Sequence, residues 1–165
     1  MDKELLKALL HKAVGKFYIN DSLLLKIGGL ERACVSRIAH YLQRELDCDK
    51  EFRDIVVDCE FGKCSVEEGW ITKALDITFE NEEQERDVCP DLIVHSRGTH
   101  TKNLMVVEFK GHWNKKNWDY DKKKLWAFIT PRDIAEEKKH FGYLLGVFVE
   151  LGEQSPKYEF FTNNP

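Results

Sequence analysis

Residues 143–151 are apolar almost without a break. A strand of that kind has no polar side to turn toward water, so it belongs inside a sheet covered on both faces. Other strand signals surround it. Residues 55–57 lead into 58–61, and 91–95 and 104–110 flank a hairpin loop at 97–103. A last short strand is expected at 158–161. Helical spacing supplies the covering layers. In 2–18, Leu5, Leu6, Leu9, Leu10, Ala13, Val14 and Phe17 recur at three- and four-residue steps. After Gly28-Gly29 a second helix is expected over 30–46, with the stripe Val35, Ile38, Leu42 and Leu46, and a third over 120–129. The order predicts an α/β fold, a mixed central sheet flanked by helices.

Length and composition narrow the class. A chain of 165 residues fits one domain. No apolar run is long enough to cross a membrane, and Met1-Asp2-Lys3-Glu4 lacks the pattern of a secretory leader, so a cytoplasmic protein with no membrane partner is expected. The five cysteines (34, 48, 59, 64 and 89) form no Cys-x-x-Cys pair and read as reduced, buried thiols. Cys59, Cys64, His95 and His100 match no standard zinc spacing. The acidic run 80–87 is expected to be a solvated loop.

One charged pair interrupts the apolar strand 104–110. Glu108 and Lys110 project from the same face, about 7 Å apart along the strand, while Phe109 turns to the other. Charges on an apolar strand need partners. Asp91, after Pro90, opens the preceding strand, and antiparallel pairing would set it beside Glu108. Two carboxylates and an ammonium then converge. Asp91 and Glu108, with the Phe109 carbonyl, suit a hard cation such as Mg²⁺, with Mn²⁺ as a substitute. The ammonium of Lys110 suits developing charge on a phosphodiester. A structural salt bridge among the three is the bland alternative. Glu31, four residues before Val35, points along the core-facing stripe of its helix, although a first-turn carboxylate is also favoured by the helix dipole.

Pro90-Asp91 followed across a hairpin by Glu108-Phe109-Lys110 resembles the PD-(D/E)xK nuclease superfamily, the restriction-endonuclease-like fold, in a small bacterial-type member. The order of elements is similar to its αβββαβ core. Glu31 resembles the family's helix carboxylate. Arg86, four residues before Pro90, and Asp121 with Lys124-Leu125 resemble further members. The resemblance spans about 30–151, leaving 1–29 as an added N-terminal helical extension. It implies Mg²⁺-dependent hydrolysis of nucleic acid, with DNA the expected substrate. Asp91, Glu108, Lys110 and Glu31 are the implied catalytic residues.

Asp121, Lys124, Leu125 and Phe128 share one helix face. Asp121 is read as a cap or a partner of Lys124, supporting the site. Glu60 is either a supporting carboxylate or a surface group. The chain carries a net charge of −4, yet residues 95–126 hold eight Lys or Arg against three Asp or Glu. Arg97, Lys102, Lys115, Lys116 and Lys123 are therefore expected to contact phosphates around the site. Trp113 and Trp118 are read as loop packing, with base stacking the alternative, and His112 as a surface residue. Two further readings stand beside the nuclease. One is a catalytically silent module of the same fold that binds nucleic acid or a protein in a defence or repair complex. The other is a homodimer or protein partner held through the N-terminal helix.

Overall fold

The computed structural model describes residues 2–66, 69–72, 74–79, 82–99, 101–131 and 141–163, with 64–87 described by their backbone alone. Helix α1 (Lys3–Asn20) starts at Asp2, whose carboxylate accepts from the Glu4 amide at 3.0 Å and so satisfies a donor that has no partner within the helix. A short helix α2 (Leu23–Ile27) follows. Gly28 and Gly29 both take φ of 70°, a conformation glycine adopts without steric penalty. That reversal starts α3 (Glu31–Asp47). A 3₁₀ turn (Lys50–Phe52) leads into β1 (Val56–Cys59).

The sheet is built from strands far apart in sequence. After β1 come two hairpins, β2 (Lys63–Val66) with β3 (Gly69–Thr72), and β4 (Ala74–Phe79) with β5 (Glu82–Asp87). Then follow β6 (Leu92–His95), β7 (Asn103–Gly111), α4 (Trp118–Ile129), β8 (Leu145–Leu151) and β9 (Pro156–Phe161). The five-stranded sheet has the order β1-β6-β7-β8-β9. Only β7 and β8 are parallel, and α4 lies in the crossover that parallel neighbours require. With the hairpins set aside, the chain runs helix α3, three antiparallel strands, helix α4, then a parallel strand.

Alternation along β7 divides the core. Met105, Val107 and Phe109 pack with Val147 and Val149 under α1 and α3. Val106 turns the other way, with Ile93 and Phe148, against Leu125, Phe128 and Ile129 of α4. The sheet therefore has a helical layer on each face, as the unbroken apolar run of β8 requires.

One expectation is corrected. The acidic segment is not a loop: residues 82–87 form β5, with Asp76 opposite Glu85 and Ile77 opposite Gln84. Leu75, Ile77 and Phe79 alternate with Asp76 and Thr78, the period of a half-buried strand, and the acidic residues are its hairpin partner. The first helix packs on the domain itself. Leu6, Leu10, Ala13, Val14 and Phe17 are buried in the same cluster as Cys34, Ile38 and Leu42 of α3, whereas Leu5 of the same stripe is exposed. Phe17→Ala is expected to lower stability by about 3–5 kcal/mol in urea unfolding. An unchanged midpoint with a changed mass in solution would assign the helix to a partner instead.

Candidate functional site

The β6–β7 register builds the site. Leu92 pairs with Val107 and Ile93 with Val106, so one step back sets Asp91 across from Glu108. β7 continues past the start of β6, and there Asp91 Oδ2 accepts the Phe109 amide at 2.8 Å. A residue in a ladder turns its N–H and C=O to the same side, so the Phe109 carbonyl faces Asp91 too. The Phe109 side chain is buried with α1 and α3.

Glu108 is 1% exposed on the central strand of the sheet. Helix α4 answers its charge: Lys124 Nζ lies 2.9 Å from Glu108 Oε1 and 3.4 Å from Asp121 Oδ1. Lys110 Nζ lies 2.9 Å from Asp121 Oδ2 and 3.8 Å from Glu31 Oε1. Glu31 comes from the opposite layer. Its Oε2 accepts the Gly111 amide at 2.8 Å, at the residue where β7 ends. Three carboxylates thus share two ammonium groups, and Asp91 is a fourth whose charge both lysines favour. Glu108 Oε1 and Asp121 Oδ2 are both buried, and each has a lysine ammonium as its charge partner.

Burial pushes the Glu108 carboxyl well above the usual carboxylate range; Asp91 adds to the shift and Lys124 opposes it. Burial also raises Asp91, against the Phe109 amide and the two lysines. For Lys110 and Lys124 burial works downward, but the surrounding carboxylates outweigh it and both are raised.

Among the described residues, no three His, Cys, Asp or Glu side chains form a group able to hold a metal ion. Mg²⁺ seldom uses such a group; it takes one or two carboxylates and completes its shell with water and phosphate oxygens. Asp91, Glu108 and the Phe109 carbonyl fit that demand in chemistry. When all four carboxylates are ionised the cluster carries two negative charges in excess. That excess fits a divalent cation.

A cleft of about 570 Å³ opens on the site beside α3. Glu31 and Asp91 line it, with Arg32, Ser36, Cys59 and Glu60. Arg32 and Glu60 pair at 2.7 Å. Glu60 has φ of 50°, uncommon for a residue with a side chain, and its amide donates to the Asp91 carbonyl at 3.2 Å.

Other expected residues fall elsewhere. Arg97 and Lys102 sit at the β6–β7 turn, at the far end of β6, about 13 Å of strand from Asp91. Arg97 is paired with Asp58, and Lys102 lies 3.8 Å from Asp54. Neighbours in sequence are parted by the hairpin, so these two do not border the site. Lys115 and Lys116 stand in the loop after β7, and Lys123 is exposed on α4. Lys115 bonds Glu150 at 3.0 Å and lies over the Trp118 ring at 4.6 Å. The tryptophans pack the loop: Trp118 donates to the Asn114 carbonyl at 2.9 Å, and a Cβ at Gly111 would collide with the Trp113 ring. His112 is half-buried, 3.4 Å from the Leu25 carbonyl. Asp121 pairs with Lys124 as expected, but also with Lys110, and Asn117 holds the cap position of α4. Of the zinc set, His95 Nε2 is 3.0 Å from Asp58; the Cys64 side chain and His100, like the Arg86 side chain, lie outside the described residues. Of the remaining cysteines Cys34 is buried, whereas Cys48, Cys59 and Cys89 are exposed thiols. Arg32 and the depth of Lys124 escaped sequence reading, although the three-residue step from Asp121 places Lys124 on the inward face.

Compared with protein-family models, curated proteins and solved structures, the chain matches none.

The raised carboxyl of Glu108 has a signed consequence. The folded chain binds a proton there that the unfolded chain has released, so this contribution to stability is present at low pH. It is lost as pH rises through the folded value. In EDTA, Glu108→Gln is expected to remove that part of the decline, so its unfolding midpoint gains on wild type as pH rises above the carboxylate range. A midpoint difference that stays constant with pH would show an ordinary carboxylate.

Proposed function

We propose that this chain is a Mg²⁺-dependent nuclease of the PD-(D/E)xK type, hydrolysing phosphodiester bonds in nucleic acid, with DNA the expected substrate. The observation that carries the reading is Asp91 lying one step beyond the Leu92–Val107 pair, across from Glu108, with Glu108 and Lys110 both turned to α4. The helix, three strands, helix, strand order supports it, as does Glu31 reaching the end of β7.

Asp91 and Glu108 would hold the cation, with the Phe109 carbonyl as a third oxygen. When bound, the cation supplies charge neutralisation at the phosphate and activation of water. The chain supplies the positioning. The Phe109 amide fixes the Asp91 carboxylate, and Asp121 aims the Lys110 ammonium into the cluster, where it can offset charge developing on the scissile phosphate. The cleft beside Glu31 and Asp91 gives a phosphate access from the α3 side. Lys115, Lys116 and Lys123, at the end of the sheet that carries the site, are the basic groups placed to contact the flanking backbone. Arg97 and Lys102 are not.

A second reading, a catalytically silent module of this fold, is favoured by one observation: Lys124 already occupies Glu108. The two readings part in a cleavage panel with Mg²⁺ and Mn²⁺ on plasmid, linear, single-stranded and RNA substrates. Wild type is expected to cleave at least one of them. Lys110→Met is expected to lose about 10²–10³ in rate, Asp91→Asn to lose cleavage altogether, and Arg97→Gln to leave it unchanged. Wild type that cleaves nothing with either metal, or Lys110→Met at full rate, would overturn the nuclease reading.

A further inference from the structure

Lys124 is the charge in this site that the proposed chemistry does not need. Its side chain is 10% exposed, and its ammonium lies at an oxygen of the carboxylate that the nuclease reading assigns to the cation. Lys110 cannot be the group that neutralises Glu108, because its ammonium lies 2.9 Å from Asp121. Lys124 therefore holds the position, relative to Glu108 Oε1, that a hard cation would contest. It also has somewhere to go. Asp121 Oδ1, one helical step away, is 3.4 Å from the same Nζ, and a lysine ammonium is a compact charge on a flexible four-carbon stem. A small rotation of that stem would exchange one carboxylate for the other.

We infer that Lys124 is a displaceable counter-ion: its ammonium neutralises Glu108 in the metal-free protein and passes to Asp121 when a divalent cation takes Glu108. The inference rests on the nuclease reading of Asp91 and Glu108. Asp121 is then the acceptor that makes the exchange possible, and Lys124 is a positioning residue that sets how tightly the cation is held. A buried ion pair that loses one partner leaves an uncompensated charge. With Asp121 in reach, neither lysine nor carboxylate is left in that state at either end of the exchange. The arrangement also answers why a site with two carboxylates across a strand register has its key oxygen occupied by a lysine from another element.

The test is calorimetric titration of the full chain with Mn²⁺ alone, without nucleic acid. Lys124→Gln removes the competitor and is expected to tighten Mn²⁺ binding about tenfold, within the usual range of coupling between two sites. Lys124→Arg keeps the charge but forks the carboxylate with two donors, so it is expected to weaken binding. Because that variant retains the buried pair, it serves if Lys124→Gln fails to fold. Asp121→Asn is expected to weaken Mn²⁺ binding more in the wild-type background than in Lys124→Gln, a non-additive cycle. Equal Mn²⁺ affinity in wild type, Lys124→Gln and Lys124→Arg, with binding abolished by Asp91→Asn, would overturn the counter-ion and leave the nuclease reading standing. Mn²⁺ bound by none of them would overturn both.

Discussion

Glu108 sits on the central strand of the sheet, 1% exposed, where water cannot answer its charge. An unpaired carboxylate there is too costly to keep ionised, and much of the surrounding structure follows from that constraint. Lys124 must reach it, which fixes how α4 is rotated over the sheet. That rotation brings Asp121, one helical step earlier, over Lys110. Leu125 and Phe128 on the same face then fall against Ile93, Val106 and Phe148. The polar and apolar halves of the α4 contact are one docking solution. Buried ion pairs of this kind seldom add net stability over apolar residues of similar volume. On the nuclease reading, their presence in the middle of a sheet serves the site more than the folding.

The electrostatics of the opening point the same way. Glu31, Glu60 and Asp91 face Arg32 around the cleft, so the approach is acidic, and a phosphate meets repulsion before it meets the lysines. On the nuclease reading, a cation has to be present for the substrate to settle as well as for the reaction. The negative net charge of the chain is concentrated in part at the place where it is used, and the basic loop after β7 lies beside it.

Much of this was legible in the sequence because it depends on local period. Alternation put Glu108 and Lys110 on one face of β7, and the hairpin register set Asp91 opposite Glu108. The three- and four-residue steps of α1, α3 and α4 located the helices, and Glu31 fell on the inward side of its own. What failed depended on distance through space. The count of basic residues over 95–126 treated a hairpin as a cluster, yet its tip lies at the other end of the strands, where Arg97 serves Asp58. The acidity of 82–87 hid a strand whose identity comes from its partner, β4, more than from its own side chains. In the run Lys122 to Lys124, composition could not say that the last lysine is buried while the middle one is exposed.

Glu31 is the one carboxylate of the cluster that neither the β6–β7 hairpin nor α4 carries. It enters from the other side of the sheet, at the first residue of a helix whose start is set by two glycines in left-handed conformation. Its oxygens meet the Gly111 amide at 2.8 Å, the Asn114 side-chain amide at 3.5 Å and the Lys110 ammonium at 3.8 Å. The cluster is therefore three plus one: three carboxylates from the hairpin and α4, and a fourth from α3. Because α3 packs in the same buried cluster as Met105, Val107 and Phe109 of β7, the apolar core on one face of the sheet sets the reach of a charge that meets the lysine from the other.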